Sequence, residues 1–83
     1  MEDRIRTILS KIGRLPVPVA TLGRDDDLYN AGLSSLASVN VMLAIEEEFD
    51  VEFPDQLLTR RSFQTISSLT DVVINLKSNT VSS

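Results

Sequence analysis

The chain has no cysteine, histidine or tryptophan; glycine and proline occur three times each, and aromatic residues make up 5%. Without cysteine there is no disulfide framework, thiolate nucleophile or cysteine zinc site. Without histidine there is no Ser-His-Asp triad, and the commonest general base and metal ligand are missing. An unaided enzyme is therefore a poor expectation. The formal net charge of −4 lacks the basic surface that nucleic-acid phosphates require. No apolar run approaches the ~20 residues that span a bilayer. Residues 1–11 mix acids, bases and apolar side chains without a signal-peptide core. The expectation is a cytoplasmic protein that binds neither nucleic acid nor membrane.

What is present is globular. Hydrophobic residues make up 42% of the 83 and charged residues 24%, which suits one small domain with a thin core. Ile5, Ile8, Leu9 and Ile12 follow the i, i+3, i+4, i+7 spacing of an amphipathic helix. Glu2 and Asp3 lead that helix and Lys11 and Arg14 close it, as the helix dipole favours. This predicts a helix over residues 2–14.

Residues 15–33 have no period. They hold Pro16, Pro18, Gly23, Gly32 and an Asp25-Asp26-Asp27 run, dotted with apolar side chains such as Val19, Leu22, Leu28 and Leu33. A stretch this long without its own elements is uncommon in compact domains, so we expect an ordered loop pinned to the core. Ser34 is a natural N-cap for a central helix ending at Phe49. That helix is apolar at Leu36, Ala37, Val39, Val41, Met42, Leu43, Ala44, Ile45 and Phe49, a stripe wider than one buried face needs. Pro54 suits the start of a short helix carrying Leu57, Leu58 and Phe63. Thr65 suits the cap of a last one carrying Ile66, Leu69, Val72, Val73 and Leu76. The expected fold is all-α: a small four-helix bundle of three longer helices and one short helix, with a domain over 1–77 and a disordered tail over 78–83. Charge is uneven: residues 35–53 hold five acids and no base.

Motif by motif, the chemistry is sparse. Gly32-Leu33-Ser34-Ser35-Leu36 fails as a nucleophile elbow, since no strand precedes it, Leu36 stands where glycine is needed and no histidine exists. A hydrolase using Ser35 would need a lysine or carboxylate base, and Lys11 and Lys77 are the only lysines, neither near in sequence. The Asp25–Asp27 run fails as a calcium loop, because Tyr29, Asn30 and Leu36 occupy positions that need a ligand, a glycine and a glutamate. Glu46-Glu47-Glu48 fan around a helix and make a solvated face rather than an acid–base pair. What remains is a pair of serines where a long loop enters a long helix. One reading is a cap and nothing more. The other is a serine carrying a phosphate-linked group, held by the free N–H groups and dipole of the helix start.

The residues Asp27-Leu28-Tyr29-Asn30-Ala31-Gly32-Leu33-Ser34-Ser35-Leu36 resemble those of acyl carrier proteins. So do Ala44-Ile45-Glu46-Glu47-Glu48-Phe49-Asp50-Val51-Glu52-Phe53-Pro54 and Phe63-Gln64-Thr65-Ile66. The resemblance runs from the first helix to about Lys77. In that family the serine of a Gly-x-Asp-Ser-Leu motif receives 4′-phosphopantetheine from coenzyme A, and the thiol of the arm carries acyl or aminoacyl groups as thioesters. The resemblance implies that Ser35 is the attachment point, with Ser34 the helix cap beside it, and that the protein is a non-catalytic carrier. Implied partners are a phosphopantetheinyl transferase, an acyl or aminoacyl ligase and a downstream acceptor enzyme, with the carrier acting as a monomer.

Two departures bear on pathway. Ser34 replaces the usual aspartate, and Ala37 and Asn40 stand where fatty-acid-synthesis carriers usually show acids. Electrostatic complementarity controls partner choice, so the chain looks more like small stand-alone bacterial carriers, some charged with small amino acids by synthetase-like ligases. A carrier of fatty-acid or polyketide intermediates and an unmodified helical adaptor are the alternatives. Leu36, Ala37, Asn40, Leu43 and Glu47 form the expected partner surface. Val39, Met42, Ile45 and Phe49 are the expected core.

Overall fold

The computed structural model describes the backbone of residues 1–81 and the side chains through Lys77. The tail expected over 78–83 lies outside the residues described in full. Three helices follow one another: α1 (Glu2–Ile12), α2 (Ser35–Phe49) and α3 (Ile66–Val81). No described helix is long and apolar enough to cross a membrane. The short fourth helix is resolved into two 3₁₀ turns, Asp55–Leu57 and Arg60–Phe63. Pro54 and Thr59 precede them in extended backbone, so the segment never runs long enough to close an α-helical ladder.

Helix α1 ends two residues earlier than its spacing predicts. The Gly13 N–H donates to Leu9 O, and Arg14 then turns left-handed at φ 52°, which takes it off the helix axis. Its stripe of Ile5, Ile8 and Leu9 is buried against both α2 and α3. From α2 come Ala37, Val41, Ile45 and Phe49; from α3 come Ile66, Leu69, Val72, Val73 and Leu76. Eight core side chains, Ile5, Leu9, Leu28, Val41, Ile45, Ile66, Leu69 and Val73, are almost wholly buried. Each contributes ~1.5–3 kcal/mol of transfer free energy.

The long connection from Gly13 to Ser34 is an ordered strap. Leu28 and Leu33 are buried, and a 3₁₀ turn at Val19–Thr21 buries Val19. Its polar backbone is satisfied from three directions. Arg6 of α1 donates from Nη1 to Val19 O and Leu22 O at 3.1 and 2.8 Å. The Leu28 N–H donates to Gln64 O at 2.7 Å, and the Ser67 N–H donates to Arg24 O at 2.9 Å. The aspartates are turn residues: Asp26 Oδ2 accepts from the Gly23 N–H, and Asp27 Oδ1 from the N–H groups of Tyr29 and Asn30. Gly32 closes the strap at φ 119°, and a Cβ there would stand 2.5 Å from Pro16 Cδ. Only glycine fits that conformation and that approach.

Candidate functional site

Helix α2 carries the candidate site. Ser34 is in extended backbone and its Oγ accepts from the Ala37 N–H at 3.0 Å. Ser35 is the first helical residue and is exposed. Its hydroxyl has no hydrogen-bond partner among the described residues, and the N–H groups of Ser35 and Leu36 have no protein acceptor there. Only the Ser35 carbonyl is engaged, accepting from Ser38 Oγ at 2.7 Å. A free hydroxyl thus stands beside two unspent donors at the positive end of a helix, an arrangement that suits a phosphate ester on that oxygen.

The far end of α2 is held tightly. Asp50 turns left-handed at φ 55°, and the Val51 N–H donates to Glu46 O at 3.1 Å, a bond characteristic of a Schellman stop. Glu46 reaches past the stop, its Oε2 accepting from the Phe53 N–H at 2.8 Å. Lys77 of α3 donates from Nζ to the Phe49 carbonyl at 3.0 Å. The glutamate triplet is therefore divided in role: Glu46 is structural, Glu48 pairs with Arg4 of α1 at 3.2 Å, and Glu47 is exposed.

Four of the five residues expected to meet partners are exposed: Leu36, Asn40, Leu43 and Glu47. Leu36 is 74% exposed and Leu43 52%, unusual for leucine. Ala37 is a correction. It is buried at 6%, because its Cβ lies on the same face as Val41 and Ile45. Val39 is a second correction, since it is 48% exposed and Val41 takes its place in the core. Met42 lies half-buried between the two faces.

Val39 has a different use. With Ser35, Ser38 and Met42 it lines one wall of an open groove of about 400 Å³, whose other wall is Tyr29, Leu58, Thr59, Arg60 and Phe63. Residues 35, 38, 39 and 42 are spaced i, i+3, i+4, i+7, so the wall on α2 could be found by stepping from Ser35 along one helix face. The opposite wall carries no such signal, because the 3₁₀ turns bring it in from distant sequence.

Comparison with known proteins decides the family. The model for the phosphopantetheine attachment site matches residues 3–73. The chain belongs to that family. The carrier is 58% identical over 73 residues to an aminoacyl carrier protein of Agrobacterium fabrum, covering 88% of each chain. It resembles a carrier protein from Agrobacterium tumefaciens solved with an engineered Bradyrhizobium japonicum glycine:[carrier protein] ligase and AMP. The TM-score is 0.87 at 57% identity, with 89% of this chain and 99% of that one covered. A glycylated carrier protein solved with the Bradyrhizobium japonicum ligase matches at TM-score 0.74 and 27% identity, covering 86% and 95%. As a phosphopantetheine carrier the protein is non-catalytic, and the missing histidine and cysteine are no handicap: the arm brings the thiol.

Proposed function

We propose that this carrier holds an aminoacyl group, most simply a small amino acid such as glycine, as a thioester on 4′-phosphopantetheine attached to Ser35. The observation that carries the reading is the exposed Ser35 hydroxyl, free of any protein partner, beside the unspent N–H groups of Ser35 and Leu36. The bound arm supplies a thiol. The chain's own residues present it: Ser34 caps the helix, Gly32 lets the strap deliver both serines, and the rigid far end of α2 fixes the helix against α1 and α3. Residues 1–77 are the carrier domain.

The aminoacyl cargo and its ligase are inferred from the relatives and from α2 itself. Positions 35–45 hold no charged residue, so Leu36, Asn40 and Leu43 offer an uncharged surface, with Glu47 beyond them. That suits a loading enzyme with an apolar contact rather than one that steers by charge. A downstream acceptor enzyme then takes the aminoacyl group. The cytoplasm fits a group donated from coenzyme A, and cell fractionation with an antibody checks it.

Intact mass after incubation with coenzyme A and a phosphopantetheinyl transferase tests the attachment. Wild type gains one phosphopantetheine and Ser35→Ala none. A gain in the variant would move the site, and no gain in folded wild type with its native transferase would leave an unmodified helical adaptor. Holo protein offered glycine, ATP and a glycine:[carrier protein] ligase tests the cargo; loading with fatty acids alone would overturn the aminoacyl reading.

A further inference from the structure

Beside the attachment site stands a cation without an anionic partner. Arg4, Arg6 and Arg24 each meet a glutamate. Arg60 makes no ion pair among the described residues; its guanidinium lies over the Tyr29 ring, 4.3 Å from the centroid. Both ends of that contact are anchored. Thr59 caps the turn that carries Arg60, its Oγ1 accepting from the Ser62 N–H, and the Tyr29 N–H is held by Asp27 Oδ1. Arg60 and Ser35 line the same groove, on opposite walls, and no acid lines it.

A group esterified to Ser35 enters a space whose facing wall presents this cation. The phosphodiester that begins the arm carries one negative charge. A guanidinium can bind two of its oxygens through parallel N–H donors while keeping its face on an aromatic ring, which an ammonium cannot do. We propose that Arg60, seated on Tyr29, binds the phosphodiester of the arm in the holo protein and lays the following pantetheine along Val39 and Met42. The inference rests on Ser35 being the attachment point. Arg60 is a positioning residue: it takes no part in transfer chemistry but fixes the direction in which the arm leaves the helix.

Mass spectrometry first establishes that wild type and Arg60→Gln both gain one phosphopantetheine, with circular dichroism confirming the fold of each. NMR spectra of apo and holo forms are then compared. In wild type the Arg60 Nε–H, the Tyr29 ring and the Val39 and Met42 methyl groups shift on modification. The shifts shrink several-fold in 1 M salt, where the screening length falls to ~3 Å from ~10 Å at 0.1 M. In Arg60→Gln the Val39 and Met42 shifts are lost, and Tyr29→Leu, which removes the seat, weakens them. Shifts confined to residues 34–38 in wild type, or unchanged in Arg60→Gln, would overturn the inference while leaving Ser35 as the site. No mass gain in wild type would overturn the Ser35 reading and this inference with it.

Discussion

The two ends of α2 are built on opposite plans. At the C-terminal end three groups are tied: Glu46 O, the Glu46 carboxylate and the Phe49 carbonyl each accept a bond from residues beyond the helix, and Phe49, Val51 and Phe53 are buried. At the N-terminal end one side-chain cap is made and two backbone donors and a hydroxyl are left over. With the arm on Ser35, as proposed, a carrier needs this asymmetry. The end that takes the arm must be open to an enzyme, and it can stay open only if the helix is fixed by its other end.

Substitutions at each end separate the two roles. The largest expected effect is Phe49→Ala, which leaves a cavity in the core at the C-terminal end of α2 and costs ~3–5 kcal/mol. Thermal unfolding checks it; a cooperative transition near that of wild type would contradict the placement of Phe49. Next is Gly32→Ala, which forces a side chain into φ 119° and against Pro16 and costs at least ~1–3 kcal/mol. Its denaturant midpoint falls, and its modification slows because the strap can no longer deliver Ser34 and Ser35 in register. Ser34→Ala removes the cap bond for ~1 kcal/mol, whereas Ser34→Asp, which keeps an acceptor at the same place, restores stability in the same denaturant assay. The smallest stability effect is Leu43→Ser, expected within ~0.5 kcal/mol because the side chain is half in solvent. Aminoacylation kinetics should report this variant instead, as a raised KM for the holo carrier. An unchanged KM would remove Leu43 from the ligase contact.

The same contrast explains what could be seen in advance. The ends of helices announce themselves in single residues: Ser34 and Thr65 as caps, Gly13 as a stop and Pro54 as a start. Thr65 Oγ1 indeed accepts from the Ser68 N–H at 2.9 Å to start α3. The interior of α2 was harder, because nearly every position from Leu36 to Ile45 is apolar and little polar contrast marks the buried side. For that reason the pattern puts Ala37 on the surface and Val39 in the core, where the structure has the reverse. A small residue on the inner face carries little hydrophobic signal, and a larger one lining a groove looks like core. The wall containing Leu58, Arg60 and Phe63 was legible only as a short helix, since 3₁₀ turns lack a spacing of their own.

The strap has a consequence for how the molecule is made. Helical bundles fold quickly when their contacts are local, and α1 and α3 each suit that pattern. Yet Arg24 and Ser67, which share a backbone hydrogen bond, lie 43 residues apart. The turns of the strap at Gly23–Asp26 and Asp27–Asn30 are local, but its bonds to Arg6, Gln64 and Ser67 form only once α1 and the start of α3 have come together. The strap is then the last segment to order and the first to open, and amides there, Leu28 among them, should exchange with solvent faster than those of Val41 and Ile45. Opening the strap would withdraw Val19, Leu28 and Leu33 from the core, so access around Ser34 and Ser35 is coupled to the packing of the whole bundle.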